Sequence, residues 1–108
     1  AAAAAVVTKT LKIGTGISLI NQHDPIALAK TVATIDRLSN GRFLFGVGAG
    51  WNREEMENHG TPYDERWRIL EENVMAMKAL WTEEEATYQG TRVSFERVWS
   101  YPKPIQIW

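Results

Sequence analysis

The chain has 108 residues, 44% of them hydrophobic and 23% charged, with a formal net charge of −1, the balance of one globular domain over residues 1–108. A near-neutral chain without a basic block offers no electrostatic footprint for nucleic acid, and no apolar run approaches the ~20 residues of a membrane span. With no cysteine there is no disulfide, thiolate nucleophile or cysteine-ligated metal, which agrees with a reducing cytoplasm.

Residues 1–5 lack the charged start and long apolar stretch of a signal peptide and read either as the tail of a helix or as a stretch foreign to the natural protein. In residues 11–20, Ile13, Ile17, Leu19 and Ile20 alternate with Gly14, Thr15, Gly16 and Ser18, which predicts a strand ending at a site. Gly14 and Gly16 would weaken an ordinary strand, so they point to a bulge or to a group lying close to the backbone. Asp24 then suits a helix N-cap and Pro25 the first helical position, with an apolar face at Leu28, Val32, Ile35 and Leu38. Ser39-Asn40-Gly41 ends that helix, with Gly41 free to take the left-handed conformation.

The next stretch, residues 41–52, is the one around which the rest is arranged. Phe43, Leu44, Phe45 and Val47 leave no polar face, as expected of a parallel strand covered on both sides. Strand, helix and strand make one βαβ unit. Gly46, Gly48 and Gly50 follow where a parallel strand meets its loop, the place where α/β and barrel enzymes hold ligands. Either these glycines let a ligand press against backbone, or they relieve crowding and permit positive φ in a tight turn; spacing leaves both open.

A long connection through Trp51, Glu55, Met56 and His59 predicts one short helix ended by Gly60. The helix expected over residues 64–81 carries Trp67, Leu70, Val74, Met77 and Trp81 at three-four spacing, read as its core stripe, with Glu71, Glu72 and Lys78 mostly off it. Residues 86–95 suggest a hairpin with Gly90 in the turn. Residues 99–104 read as extended, because each proline disfavours helix before it.

Chemical motifs are sparse. Gly48-Ala49-Gly50-Trp51-Asn52-Arg53 begins like a dinucleotide fingerprint but has Arg53 at the third glycine position, and no phosphate P-loop is present. His23 and His59, the two histidines, are far apart in sequence, and no carboxylate stands at ligand spacing from them, so no metal is expected. Asp36 and Arg42 bracket a helix end and are expected to pair across the turn. Ser18 and Ser39 lack an adjacent base for acyl transfer, and no catalytic acid or base is assigned.

Gly14-Thr15-Gly16-Ile17, His23-Asp24-Pro25, Ile35-Asp36-Arg37-Leu38-Ser39-Asn40-Gly41-Arg42, and Gly46-Val47-Gly48-Ala49-Gly50-Trp51 with Glu55 and Gly60 stand in an order and spacing that resembles the luciferase-like oxidoreductases. The resemblance continues through Arg66, Glu71 and Leu80-Trp81 to Pro102-Lys103-Pro104-Ile105-Gln106. It implies an α/β fold, a (β/α)8 TIM barrel with its cofactor at the C-terminal ends of the strands. The chain would supply the third and fourth β-α units plus a hairpin insertion, since such barrels need roughly ~250 residues. Ile107-Trp108 follows Gln106 where relatives insert a proline-rich stretch, which suggests a portion of a longer protein.

Within the family, the Gly48-to-Trp51 pattern with Glu55 resembles the branch that uses the deazaflavin coenzyme F-420. The alternative is an FMN-dependent monooxygenase, although bacterial luciferase has an arginine where this chain has Ala49. By this resemblance Gly16-Ile17 matches a non-proline cis peptide in a bulge behind the cofactor ring, Gly48, Ala49 and Gly50 let the loop backbone approach the ring, and Trp51 walls the pocket. The expected reaction is hydride transfer between cofactor and a small-molecule substrate. The expected partner is the remainder of the barrel or a second copy of the chain, the latter also in the alternative of a non-catalytic fragment that self-associates.

Overall fold

In the computed structural model, which describes residues 1–106, the two apolar stretches form a pair of parallel strands, each broken at its centre. β1 (Ile13–Gly14) and β2 (Ser18–Leu19) come from the first, β3 (Phe43–Leu44) and β4 (Val47–Gly48) from the second. Ile13 pairs with Phe43 and Gly14 with Leu44; further on, Ser18 pairs with Val47 and Leu19 with Gly48. The first strand thus spends one residue more than the second between the two registers, which is the signature of a β-bulge. The expected βαβ unit and its bulge are both present.

Helix α2 (Pro25–Leu38) makes the crossover. Its start follows from local chemistry: the Asp24 carboxylate accepts the Ala27 N–H at 3.1 Å, and proline occupies the first turn. It ends at Ser39, after which Asn40 (φ 55°) and Gly41 (φ 81°) both turn left-handed. Helix α1 (Ala2–Val7) precedes the strands, and α3 (Arg53–Asn58) and α4 (Arg66–Thr82) follow them. Antiparallel strands β5 (Ala86–Gln89) and β6 (Ser94–Val98) form the hairpin, with the Gly90 N–H donating to the Val93 carbonyl at 2.8 Å. Residues 107–108, which hold the Ile-Trp pair noted above, lie outside the described residues.

The core lies between one face of the strand pair and the two long helices. Ala29, Val32 and Ala33 of α2 meet Met77, Leu80 and Trp81 of α4 over Phe43. Phe43 stacks on Phe45 (centroids 6.1 Å), Phe45 meets Trp81 edge-on (6.4 Å), and the Trp81 indole N–H donates to the Ala29 carbonyl at 3.0 Å. The strands are not covered on both sides as their composition suggests: Leu44 is 45% and Ile17 55% exposed. The helices cover one face, and the other is open.

Two further expectations are corrected. The inward face of α4 is rotated from the predicted stripe: Met77 and Trp81 are buried and Leu70 and Val74 half-buried, but Trp67 is 64% exposed. Ile69, Glu72, Asn73, Ala76 and Leu80 take the remaining inward positions. Glu72 is inside because the hairpin turn supplies partners: its Oε1 accepts the backbone N–H groups of Arg92 (2.8 Å) and Val93 (3.1 Å).

Asp36 and Arg42 do not pair. The Asp36 carboxylate is buried and accepts the backbone N–H groups of Ile105 (2.6 Å) and Gln106 (3.0 Å). Arg42 turns instead to the C-terminal end of α1, donating to the carbonyls of Ala5, Thr8 and Leu11 and to the Thr8 hydroxyl, and to the Ser39 carbonyl. A cation at the negative end of a helix, with this many acceptors, holds α1 to the sheet. Arg42→Met keeps the apolar stem and removes every one of these bonds. It is expected to lower stability by about 2 kcal/mol, read by urea unfolding, with amide exchange of α1 accelerated; a midpoint unchanged from the parent would refute that role.

Candidate functional site

The bulge sits where β1 gives way to β2. The Thr15 N–H donates to the Leu44 carbonyl (3.1 Å), and the Gly46 carbonyl accepts both the Ser18 N–H (2.8 Å) and the Thr15 hydroxyl (2.8 Å). One carbonyl thus receives two donors across the extra residue. The Gly16-Ile17 peptide is cis, as the resemblance implied.

Methyl groups built onto the glycines separate their roles. At Gly46 a Cβ would fall well inside contact with the Thr15 carbonyl oxygen, and at Gly48 against the tip of the Ile17 side chain. Gly50 has φ +87° with Met56 close by. For these three, relief of crowding or a left-handed turn is sufficient reason for glycine. Gly16 differs: a Cβ there meets nothing within 4 Å.

Gly16 and Ile17 line a hollow of about 310 Å³ together with Gly50 and Trp51. The structure therefore brings four of the six nominated residues together. Gly48 and Ala49 do not line it: Gly48 lies under Ile17, and Ala49 is buried. Trp51 is 82% exposed at the rim.

Sequence reasoning left out Leu19, Gln22 and Asn52 as members of this hollow and named Glu55 only as part of a motif; all four line it. A signal for two of them was available, because Asn52 followed three residues later by Glu55 is a capping pattern. The Asn52 side chain accepts the Glu55 N–H at 3.0 Å and so opens α3, with Glu54 and Glu55 in the favourable first turn. The loop is pinned beneath: Met56 is fully buried, the Thr61 N–H donates to the Met56 carbonyl (2.9 Å), and the Thr61 hydroxyl donates to the Asn21 carbonyl (2.8 Å). Apolar walls and a polar side at Gln22, Asn52 and Glu55 suit a flat ring with a hydrogen-bonding edge.

The two histidines, remote in sequence, line a second, polar hollow together. Among the described residues no group of three or more His, Cys, Asp and Glu side chains is arranged to hold a metal ion. No helix is long and apolar enough to cross a membrane among those residues.

Comparison with known proteins bears on this geometry. The sequence model of the luciferase-like monooxygenase family matches residues 1–108. An uncharacterized protein of Mycobacterium tuberculosis (strain ATCC 25618 / H37Rv) is 49% identical over 104 residues, 96% of this chain and 37% of that protein. The FMNH(2)-dependent dimethylsulfone monooxygenase of Pseudomonas fluorescens (strain Pf0-1) is 34% identical over 101 residues, 91% of this chain and 28% of that one. Among solved structures, the monooxygenase RslO1 from Streptomyces bottropensis is similar with TM-score 0.90 and 32% identity, over 97% of this chain and 32% of its own. An F420-dependent secondary alcohol dehydrogenase in complex with an F420-acetone adduct is similar with TM-score 0.83 and 29% identity, over 96% of this chain and 33% of its own. The chain spans about a third of the length of these relatives. Its bulged strand pair, helices and hairpin are a portion of a luciferase-like TIM barrel, and with all of its residues 1–108 matched by the family model the chain belongs to the luciferase-like monooxygenase family.

Proposed function

We propose that this chain forms the part of an oxidoreductase that supports one face of a flat redox ring, a deazaflavin of the F-420 type, while hydride passes between that ring and a small organic substrate. The observation that carries the reading is the open space over Gly16 in a hollow whose other lining residues, Gly50 apart, bring side chains to it. A Cβ at that position would occupy room that a ring needs. When bound, the cofactor supplies the hydride chemistry, and the protein orients it. Ile17 and Leu19 offer apolar contact, Trp51 screens the rim from water, and Gln22 and Glu55 can meet a hydrogen-bonding edge. No side chain of the hollow is assigned as general acid or base.

The apolar groove between Phe45, Val47 and the α4 residues Val74, Met77 and Trp81 fits this reading, because a further strand of a complete barrel would cover it. FMN is the second reading, favoured by the similarity to an FMNH(2)-dependent monooxygenase. Titration of the intact protein with F-420 and with FMN, followed by the visible absorbance and fluorescence of each ring, decides between them. F-420 is expected to bind at least ~10-fold more tightly, a difference of about 1.4 kcal/mol. The reverse order would establish the flavin reading, and binding of neither would refute a ring site.

A further inference from the structure

The polar hollow that gathers both histidines has a volume of about 310 Å³ and is built by four separate segments. His23 comes from the start of α2, His59 and Thr61 from the loop after α3, Asn73 from α4, and Arg92 from the hairpin turn. No carboxylate lines it. The acidic groups beside the lining residues are accounted for: Asp24 caps α2 and faces the adjoining groove, Glu65 pairs with Arg92 and Arg68, and Glu72 accepts the backbone N–H groups of Arg92 and Val93. The Arg92 hydrogen bond holds the Glu65 carboxyl below its ordinary range. That pair occupies one end of a guanidinium that has five N–H donors, so others remain for a ligand. The 14-residue helix α2 begins at this hollow with Pro25, adding the positive end of its dipole.

A second observation concerns Asn21, which also lines the hollow. Its amide N–H donates to the Arg66 carbonyl at 2.8 Å, which fixes the orientation of the carboxamide, yet its Oδ1 is buried with no partner among the described residues. A buried acceptor without a donor is costly and calls for one. A ligand for this hollow must present negative oxygens to Arg92 and the imidazoles, and one that also carries an O–H satisfies Asn21 Oδ1 when the carboxamide, which has almost no accessible surface of its own, shifts toward it.

We propose that this hollow is a phosphate-recognition site, whose ligand is a partly protonated phosphate, free or as the monoester of a small molecule. Hydrogen phosphate has both features at neutral pH; sulfate has the charge and shape but no O–H. The proposal does not depend on the ring hollow. The test uses the intact protein and inorganic phosphate, at fixed pH and ionic strength, with the ring-proton NMR signals of the two histidines assigned through His23→Gln and His59→Gln. Both signals are expected to shift saturably with phosphate, with sulfate at least ~10-fold weaker and with Arg92→Gln weakening phosphate at least ~10-fold. Absence of a saturable shift, or an equal response to sulfate, would overturn the proposal. FMN as a second probe tells the sources apart: competition with inorganic phosphate assigns the group to the ring's own chain, and independent binding assigns it to a separate ligand. Gly16→Ala is expected to leave the phosphate response unchanged, so loss of ring binding and loss of phosphate binding are read separately.

Discussion

Substitution Asp36→Ala is expected to destabilise the protein by about 3 kcal/mol and to release residues 105–106, whereas Asp36→Asn is expected to cost less than about 1.5 kcal/mol. The asymmetry follows from which groups are left without partners. Alanine strands two backbone N–H groups, those of Ile105 and Gln106, beside a new void in a fully buried position. Asparagine keeps a carbonyl acceptor for both and places its NH₂ where Asp36 Oδ1 has no partner among the described residues. The segment has other ties, because the Arg37 Nε–H donates to the Lys103 carbonyl and the Lys103 ammonium donates to the Leu80 and Glu83 carbonyls at the end of α4. Asp36 is nevertheless the group that holds the backbone at Ile105 and Gln106. Urea unfolding gives the stability difference, and amide exchange at Ile105 and Gln106 gives the local release. An alanine variant within about 0.5 kcal/mol of the parent would show that the buried carboxylate costs as much as it returns.

Asp36 also marks where the sequence stopped being informative. The βαβ unit, the Asp24 cap, the left-handed exit at Gly41 and the Gly90 turn were legible, since each depends on residues within one or two turns of one another. The partner of Asp36 lies some seventy positions away, and its proximity to Arg42 in sequence suggested a pair that the fold does not make. Glu72 was misplaced for the same reason. A helical period shows that one stripe is apolar, but a carboxylate can join the buried face when a hairpin brings two N–H groups to it. The glycine pattern was legible as a place of close approach, without showing what approaches. The fold places protein atoms opposite Gly46 and Gly48 and open space opposite Gly16. The histidines likewise came together through segments that no spacing rule connects.

That difference among glycines yields the sharpest contrast available in the site. Gly46→Ala drives a methyl group into the Thr15 carbonyl, a backbone atom that cannot rotate away, in the strand segment whose own carbonyl holds the bulge. A loss of about 3 kcal/mol is expected, at the upper end for an added methylene in a packed region, with weakened ring binding as a consequence of the disturbed bulge. Gly48→Ala meets a movable side-chain tip instead, so Ile17 can swing aside at a cost of about 1 kcal/mol. Gly16→Ala meets no protein atom and is expected to change stability by less than about 0.5 kcal/mol while lowering affinity for the ring at least ~10-fold. Thermal unfolding and the absorbance titration, run on all three variants, separate the effects. Ring binding undiminished in a folded Gly16→Ala protein would mean that the open space is not where the ring lies, and the bulge would then be only the fold's way of ending one strand and starting the next.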